Sequence, residues 1–210
     1  MVTMKRNILY LAVVGFFSLA STAIDLSAAV DKKLPIIVLD PGHGGKDGGG
    51  IANGLKESEV TLTMTKELAR KLERRGYKVV LTRNVDKAML LTERAAIEQK
   101  FEPALFLSLH TGWSKDVDER GVAVFHSKLK EGEKRNELAG LLAKDLGDAQ
   151  PKVDAKVREA RVSAFGFDDW LLLELGMLSN KKDAELLSDN LERNKLLETV
   201  AETIDNHLSE

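Results

Sequence analysis

The sequence predicts an α/β fold: a single domain built on a mostly parallel, twisted sheet with helices on both of its faces. Two observations support this prediction. The segment 34–39 is a continuous apolar run rich in β-branched residues, which is typical of a strand buried on both faces, as in parallel sheets. Along the rest of the chain, strand-like segments alternate with helix-like ones, and this alternation is typical of α/β layers.

Each element is predicted from the spacing of its apolar residues and from its boundary residues. Apolar residues at four-residue spacing predict a helix over 58–75, capped by Ser58 and ended by Gly76. Further helices are predicted around 92–99, over 133–145 and over 181–208. The predicted strands are 34–39, 77–82, 104–109, 122–125 and 171–175.

The first thirty residues have the pattern of a secretory signal. A basic start precedes a ten-residue apolar run over 8–17, and small residues follow up to position 29. The run is too short to span a bilayer, which needs about 20 apolar residues. We therefore predict a signal peptide over 1–29, cleaved after Ala23 or Ala29, and an exported protein, periplasmic or extracellular, without stable membrane insertion. The alternative is a buried N-terminal helix.

Composition restricts the function further. The chain has 210 residues, 43% hydrophobic and 30% charged, which predicts one domain over 30–210 and a monomer. Lys and Arg number 31 against 33 Asp and Glu, so there is no basic excess to hold a nucleic acid. The absence of cysteine excludes disulfides, thiolate metal sites and cysteine nucleophiles. Of the four histidines, His126 and His207 have no supporting motif and are interpreted as structural or solvent-facing.

The other two histidines lie where predicted strands end. His43 follows the first strand within a glycine-rich loop, and His110 follows the third. In open α/β sheets, ligands bind beyond the carboxyl ends of the strands. Glu57 and Glu59 open the helix after the glycine loop and supply candidate carboxylates. Two histidines, one carboxylate and an open fourth position are typical of a catalytic zinc site, whereas calcium and magnesium prefer oxygen ligands.

Glu174 is the last candidate, because it lies in the otherwise apolar run 170–176. Burying a carboxylate there is costly unless it forms an ion pair or takes part in the chemistry of a site. One interpretation is a salt bridge to a basic residue. The other is a general base beside a metal site, with a pKa raised by its apolar surroundings.

Together these segments resemble the zinc-dependent N-acetylmuramoyl-L-alanine amidases, the family that removes peptide stems from peptidoglycan. The similarity runs from about residue 36 to residue 180 and on through the last helix. Residues 38–47 look like the family's opening motif, which carries a zinc-binding histidine, and residues 54–60 look like the segment that carries the zinc-binding glutamate. Residues 108–110 look like the motif of the third zinc ligand, and residues 172–180 look like the segment that carries the catalytic glutamate.

The resemblance implies one Zn²⁺ held by His43, Glu57 and His110, with Glu174 as the catalytic base. It implies peptidoglycan as the partner and hydrolysis of the amide between N-acetylmuramic acid and L-alanine as the reaction. Two alternatives stay open: an amidase-like domain that binds peptidoglycan or a partner without cutting, and another kind of zinc peptidase.

The chain departs from the family pattern at the rim of the expected cleft. Residues 111–113 replace the usual Ala-Asn, and 165–170 replace a longer segment that usually contains proline. Some periplasmic relatives carry an inserted helix that blocks the site until an activator displaces it. The chain between His110 and Glu174 looks too short for one, so we expect an open cleft.

Overall fold

The computed structural model describes residues 34–127, 133–149, 155–160 and 170–209. The predicted signal peptide with its cleavage sites lies outside the described residues, as does most of the segment 165–170. Within the described part of the chain, no helix is long and apolar enough to cross a membrane. The architecture is a six-stranded sheet with helices on both faces, which confirms the predicted fold class.

Six strands form the central sheet, and two short ones form an antiparallel hairpin beside it. In chain order they are β1 (Ile36–Pro41), β2 (Ile51–Ala52), β3 (Leu55–Lys56), β4 (Lys78–Leu81), β5 (Leu105–Gly112), β6 (Val122–Ser127), β7 (Ala155–Ala160) and β8 (Leu171–Met177). The spatial order in the central sheet is β4-β1-β5-β8-β6-β7. Every neighbouring pair is parallel except β6 and β8, which are antiparallel.

The helices are α1 (Glu57–Arg74), α2 (Leu91–Phe101), α3 (Glu133–Ala149), α4 (Lys181–Ser188) and α5 (Asn190–Leu208). The single helix predicted over 181–208 is wrong, because the chain breaks at Asp189. The Asp189 side chain accepts hydrogen bonds from the amides of Leu191 and Glu192 and so caps α5.

The start of α1 also differs from the prediction. Ser58 is not the cap but lies in the first turn, and its buried hydroxyl has no hydrogen-bond partner among the described residues. Backbone carbonyls of the glycine loop cap the helix instead. The amide of Glu57 donates to the Gly50 carbonyl at 2.9 Å, and the amide of Ser58 donates to the Gly48 carbonyl at 3.0 Å. The helix is thereby joined to the loop after β1.

The core lies mainly between the sheet and α1, α3 and α5. Central strands contribute fully buried side chains such as Leu39, Leu107 and Leu173, which pack in one cluster with apolar residues of these helices. A smaller cluster on the opposite face contains Val38 and Phe106. Helix α2 packs on this second face over β1. The strands are thus buried on both faces near the centre of the sheet, as the continuous apolar runs predict.

Candidate metal centre

The three residues expected to bind a metal converge near the carboxyl ends of β1 and β5. Within the described residues, His43, Glu57 and His110 form the one group of possible ligands whose atoms all lie within 4.8 Å of one another. His43 Nε2 is 3.2 Å from Glu57 Oε2, and His110 Nδ1 is 3.0 Å from Glu57 Oε1. Ligand atoms of a tetrahedral zinc ion with bonds of about 2.1 Å lie about 3.4 Å apart, so this spacing fits one ion.

The loop after β1 holds His43 in an unusual backbone conformation. Its φ angle of 59° lies in the left-handed region, which costs free energy for a residue other than glycine. The Nδ1 atom lies 3.0 Å from Asp47 Oδ2, which turns Nε2 toward Glu57. A carboxylate on the far nitrogen is a common way to orient a metal-binding imidazole.

Charges around His43 stabilise its protonated form. The hydrogen bond to Glu57 raises the pKa of His43 to about 9 against the effect of partial burial, and Asp47 adds to the increase. A metal ion binds only the neutral imidazole, so His43 must lose this proton before it acts as a ligand.

Glu57 is anchored at both of its carboxylate oxygens. Oε2 accepts a hydrogen bond from the Gly50 amide at 2.8 Å, and Oε1 accepts one from the Thr111 amide at 3.0 Å. Burial alone would raise its pKa, but hydrogen bonds from the two histidines and these amides hold the pKa well below its usual value. Glu59 is exposed and lies 3.6 Å from Lys56 instead. Of the two candidate carboxylates, Glu57 is therefore the one in the cluster.

Glu174 lies beside this cluster because of the strand register. Residues His110 of β5 and Glu174 of β8 are direct partners in the sheet, and neighbouring strands are about 4.8 Å apart. Burial raises the pKa of Glu174, and the charges of His110 and Glu57 act on it in opposite directions. Within the described part of the chain Glu174 forms no ion pair. The salt-bridge interpretation therefore has no support there.

Two glycines make room for these side chains. A Cβ atom at Gly49, whose φ is 67°, would lie 2.6 Å from both Glu57 Oε2 and His43 Cδ2. A Cβ atom at Gly42 would collide with the imidazole of His110. Because glycine has no side chain at these positions, the side chains of His43, Glu57 and His110 can approach each other closely.

The buried side chain of Asp40 joins three elements beneath the cluster. Its carboxylate accepts hydrogen bonds from Thr82 Oγ1 at 2.5 Å and from Ser108 Oγ at 2.8 Å, and it pairs with Arg94. The second guanidinium nitrogen of Arg94 donates to the His43 carbonyl at 3.0 Å. Asp40 thus connects β1 to α2 and to β5, the strand that carries His110.

Arg83 joins the two segments that carry His43 and Glu57. This guanidinium is 1% exposed. Its Nε donates to the Pro41 carbonyl at 3.0 Å, and its Nη2 donates to the carbonyls of Gly42 at 2.7 Å and Ser58 at 2.9 Å. The first two carbonyls precede His43, and the third belongs to the residue after Glu57.

The motif 38–47 contains Asp40 and Asp47 without giving either a role, and Arg83 and Arg94 lie outside the four motifs. Asp40 could have been noticed by the reasoning applied to Glu174, since it ends a buried apolar run. The hydrogen bonds of Asp47, Arg83 and Arg94 depend on contacts that only the three-dimensional structure shows.

Comparison with known proteins identifies the family. The family model described as N-acetylmuramoyl-L-alanine amidase, Amidase_3, matches residues 37–206. The chain belongs to this amidase family. The predicted resemblance and the predicted enzyme class are thereby confirmed.

Individual relatives agree with this assignment. The chain is 34% identical over 163 residues to the probable N-acetylmuramoyl-L-alanine amidase AmiB of Haemophilus influenzae, covering 71% of this chain and 36% of AmiB. It therefore spans about a third of that relative. It is 27% identical over 196 residues to the uncharacterized protein YqiI of Bacillus subtilis, covering 90% of this chain and 95% of YqiI.

Among solved structures, the amidase AmiC2 of Nostoc punctiforme superposes with a TM-score of 0.76 at 27% identity. The match covers 84% of this chain and 98% of that one. A structure of the CwlD amidase from Clostridioides difficile in complex with the GerS lipoprotein gives a TM-score of 0.74 at 24% identity, which supports the fold.

The donor set of this amidase suits a metal ion. Two imidazoles and one carboxylate leave a fourth position open, which is typical of catalytic zinc sites. His126 and His207 are not part of this group; His126 is buried, with Nδ1 3.2 Å from the Ser127 carbonyl.

The rim of the amidase site carries Trp113, which directly follows β5. Its side chain is 53% exposed. A Cβ atom at Gly50 would lie 3.4 Å from Trp113 Cδ1, so the indole stands directly beside the metal-binding loop. Thr111 and Gly112 end β5 and are buried.

Proposed function

We propose that the protein is a zinc-dependent hydrolase that cleaves the amide between N-acetylmuramic acid and L-alanine in peptidoglycan. The convergence of His43, Glu57 and His110 next to Glu174 carries this proposal. When bound there, a zinc ion would lower the pKa of a water molecule toward about 7 and polarise the scissile carbonyl.

Glu174 supplies the proton transfers of this reaction. It accepts a proton from the attacking water and delivers it to the nitrogen of the departing alanine, since an amide nitrogen leaves poorly as an anion. A pKa raised by burial suits both steps, because the same group must first accept and then donate. Asp47 holds the imidazole of His43 in place throughout.

The proposal includes export of the mature chain. Peptidoglycan lies outside the cytoplasm, and relatives of this chain include probable cell wall amidases named LytH from staphylococci. The signal-like segment 1–29 would direct the catalytic domain 30–210 to the periplasm, or to the outside of the cell. We propose that the domain acts there as a monomer.

The deciding experiment treats purified sacculi with the mature protein and measures released stem peptides by mass spectrometry. We expect intact stems with a free alanine amino terminus, no release after metal chelation, and recovery when stoichiometric zinc is added. Glu174→Gln should keep its zinc and lose turnover by about 10²–10⁴-fold. Glu59→Gln removes an exposed carboxylate outside the cluster and serves as the matched control. Near-normal turnover by Glu174→Gln would show that the assigned base is wrong.

A second candidate, a binding module without hydrolysis, is favoured by the exposure of Trp113 beside the site. Exposed tryptophans commonly anchor ligands through their large flat surface. Such a module would sediment with sacculi and release no stem peptide, with or without zinc. The same assay therefore separates the two functions.

A further inference from the structure

A cavity of about 270 Å³ opens beside Glu174 on the sheet face that also carries the smaller apolar cluster. Strands β6, β7 and β8 form its floor, and the loop after β5 forms one wall. Its lining includes Trp113 and Glu119 from that loop and Arg158 from β7. Glu174 lies in the same lining, so the cavity and the proposed reaction centre are continuous.

Strand register fixes the positions of the charged groups in this floor. Ala123 of β6 pairs with Glu174 on one side and with Lys156 of β7 on the other. Two residues further along β6, Phe125 pairs with Leu172 of β8 and with Arg158 of β7. With strands about 4.8 Å apart and about 3.3 Å per residue, the Cα atoms of Arg158 and Glu174 are about 12 Å apart.

The guanidinium of Arg158 belongs to an exposed residue and lines the cavity. It lies 5.9 Å from the centre of the Phe125 ring and forms no ion pair with the described residues. The other arginine in the lining, Arg120, is already paired with Asp183 at 2.8 Å. The part of the cavity floor formed by β7 therefore carries the positive charge of Arg158, whereas the wall formed by the loop after β5 carries the negative charge of Glu119.

We propose that Arg158 binds a carboxylate of the peptide stem and thereby makes the enzyme prefer stems with free carboxylates. The proposal rests on the proposed function, because the stem must lie in the cavity when its amide is at Glu174. The scissile amide blocks the amino terminus of the stem, so the free carboxylates near that end are those of acidic residues or of the carboxyl terminus. A carboxylate avoids Glu119 and pairs with a guanidinium, whose fork of donors matches its geometry.

The distance favours a carboxylate close to the scissile bond. An extended peptide advances about 3.3 Å per residue, and the side chains of both Arg158 and Glu174 reach into the cavity. The carboxylate therefore belongs to about the first three residues of the stem. A stem whose early carboxyl groups are converted to amides lacks the charge that Arg158 recognises.

The test compares two soluble substrates on the full mature enzyme: N-acetylmuramoyl-L-alanyl-D-glutamic acid and the same molecule with both carboxyl groups amidated. We expect the wild type to have a kcat/KM about five-fold higher for the acid, the scale of a partly exposed ion pair. Arg158→Gln should bring the ratio near one, Arg158→Glu should invert it, and Arg158→Lys should restore part of it. High salt should reduce the wild-type ratio.

Arg70→Gln is the matched control, since it removes an exposed guanidinium on α1 that is remote from the cavity lining. It should keep the wild-type ratio. A wild type without preference, or an Arg158→Gln enzyme with the wild-type ratio, would overturn the proposal. Thermal unfolding of each variant separates a change in recognition from a loss of folding.

A binding measurement keeps the inference testable if neither substrate is cleaved, which would count against the proposed hydrolase. N-acetyl-L-alanyl-D-glutamate and its diamide are titrated into ¹⁵N-labelled wild type and Arg158→Gln. Stronger binding of the acid by the wild type, lost in Arg158→Gln, supports the carboxylate subsite. Equal binding of the two peptides by the wild type contradicts it.

Discussion

At the scale of single residues, the site uses one buried carboxylate where the sequence offers two. Glu57 and Glu59 are two positions apart, yet only Glu57 lies between the histidines, with 4% of its surface exposed. We expect Glu57→Gln to lose stoichiometric zinc, because a neutral amide is a poor ligand for this ion. Zinc content after dialysis, measured by atomic absorption, checks this. Glu59→Gln should retain one zinc per chain, and the reverse result would exchange the two assignments.

Asp47 provides a second prediction at this scale. Because its carboxylate orients the Nδ1 side of His43, Asp47→Asn should weaken zinc binding by about 10- to 100-fold and leave the fold intact. Competition with a chromophoric chelator gives the affinity. Asp118→Asn, which changes an exposed acid in the loop after β5, should bind zinc as the wild type does.

The sequence singles out His43, His110 and Glu174 because each is a rare or costly residue type near the end of a predicted strand. Asp47 could not be singled out in the same way, since acidic residues are common in exposed loops and its role depends on a contact with an imidazole. The choice between Glu57 and Glu59 came from the resemblance rather than from helix geometry, because both lie in the first turn of α1.

At the scale of elements, Arg83 holds the loop after β1 against the start of α1. Replacing it with alanine leaves the buried carbonyls of Pro41, Gly42 and Ser58 without these donors. Each carbonyl keeps one other donor, Arg94 for Pro41 and Thr61 for Gly42 and Ser58. The loss is therefore that of hydrogen bonds to a charged group, and Arg83→Ala should lower the free energy of unfolding by about 3 kcal/mol. Urea unfolding of the metal-free protein measures this. Arg70→Ala on the exposed side of α1 should change stability by no more than about 0.5 kcal/mol.

The pairing of α1 with α5 predicts a pH dependence. Glu198 of α5 accepts hydrogen bonds from Arg75 and from Lys71, which lower its pKa from 4.5 to about 2. A carboxylate with a lowered folded-state pKa stabilises the protein above its unfolded-state pKa and loses that contribution as the pH falls toward 2. Glu198→Gln should therefore be less stable than the wild type at pH 7, and the difference should shrink between pH 4.5 and pH 2.

Urea unfolding of the metal-free wild type and of Glu198→Gln over this pH range checks the prediction. Using the metal-free form in both cases cancels the titration of the zinc ligands from the difference. A difference that stays constant down to pH 2 would show that Glu198 does not stabilise the protein through its charge.

The elements that the sequence could not predict have specific physical reasons. Strand β7, at one edge of the sheet, has three apolar residues among six, and two of them are alanine. Neither the spacing of its apolar residues nor its hydrophobicity therefore indicates a strand. The break at Asp189 was missed because a capping aspartate resembles any polar residue on the exposed side of a helix. Serine is a favoured capping residue, so the sequence predicts Ser58 as the cap, whereas the amides of the first turn bond to backbone carbonyls of Gly48 and Gly50.

At the scale of the whole molecule, both histidines of the site are partly exposed to solvent. The side chains of His43 and His110 are 26% and 20% exposed, respectively, in the described part of the chain. We expect the purified, zinc-loaded mature protein to release stem peptides without an activator. Adding extracts of the cell envelope should change the initial rate by less than about two-fold, and a protein that is silent until such an extract is added would contradict the open cleft.

The same central strands that hold the ligands also form the bulk of the apolar core. The side chains of Leu39 and Leu107 are fully buried in β1 and β5, and Asp40 and Arg83 fix the loop after β1. The binding geometry is thus preorganised by packing and hydrogen bonds, unlike that of small zinc domains that unfold when the ion is withdrawn. If the proposed zinc ion is withdrawn, the scaffold should therefore stay folded, and adding zinc back should restore the release of stem peptides.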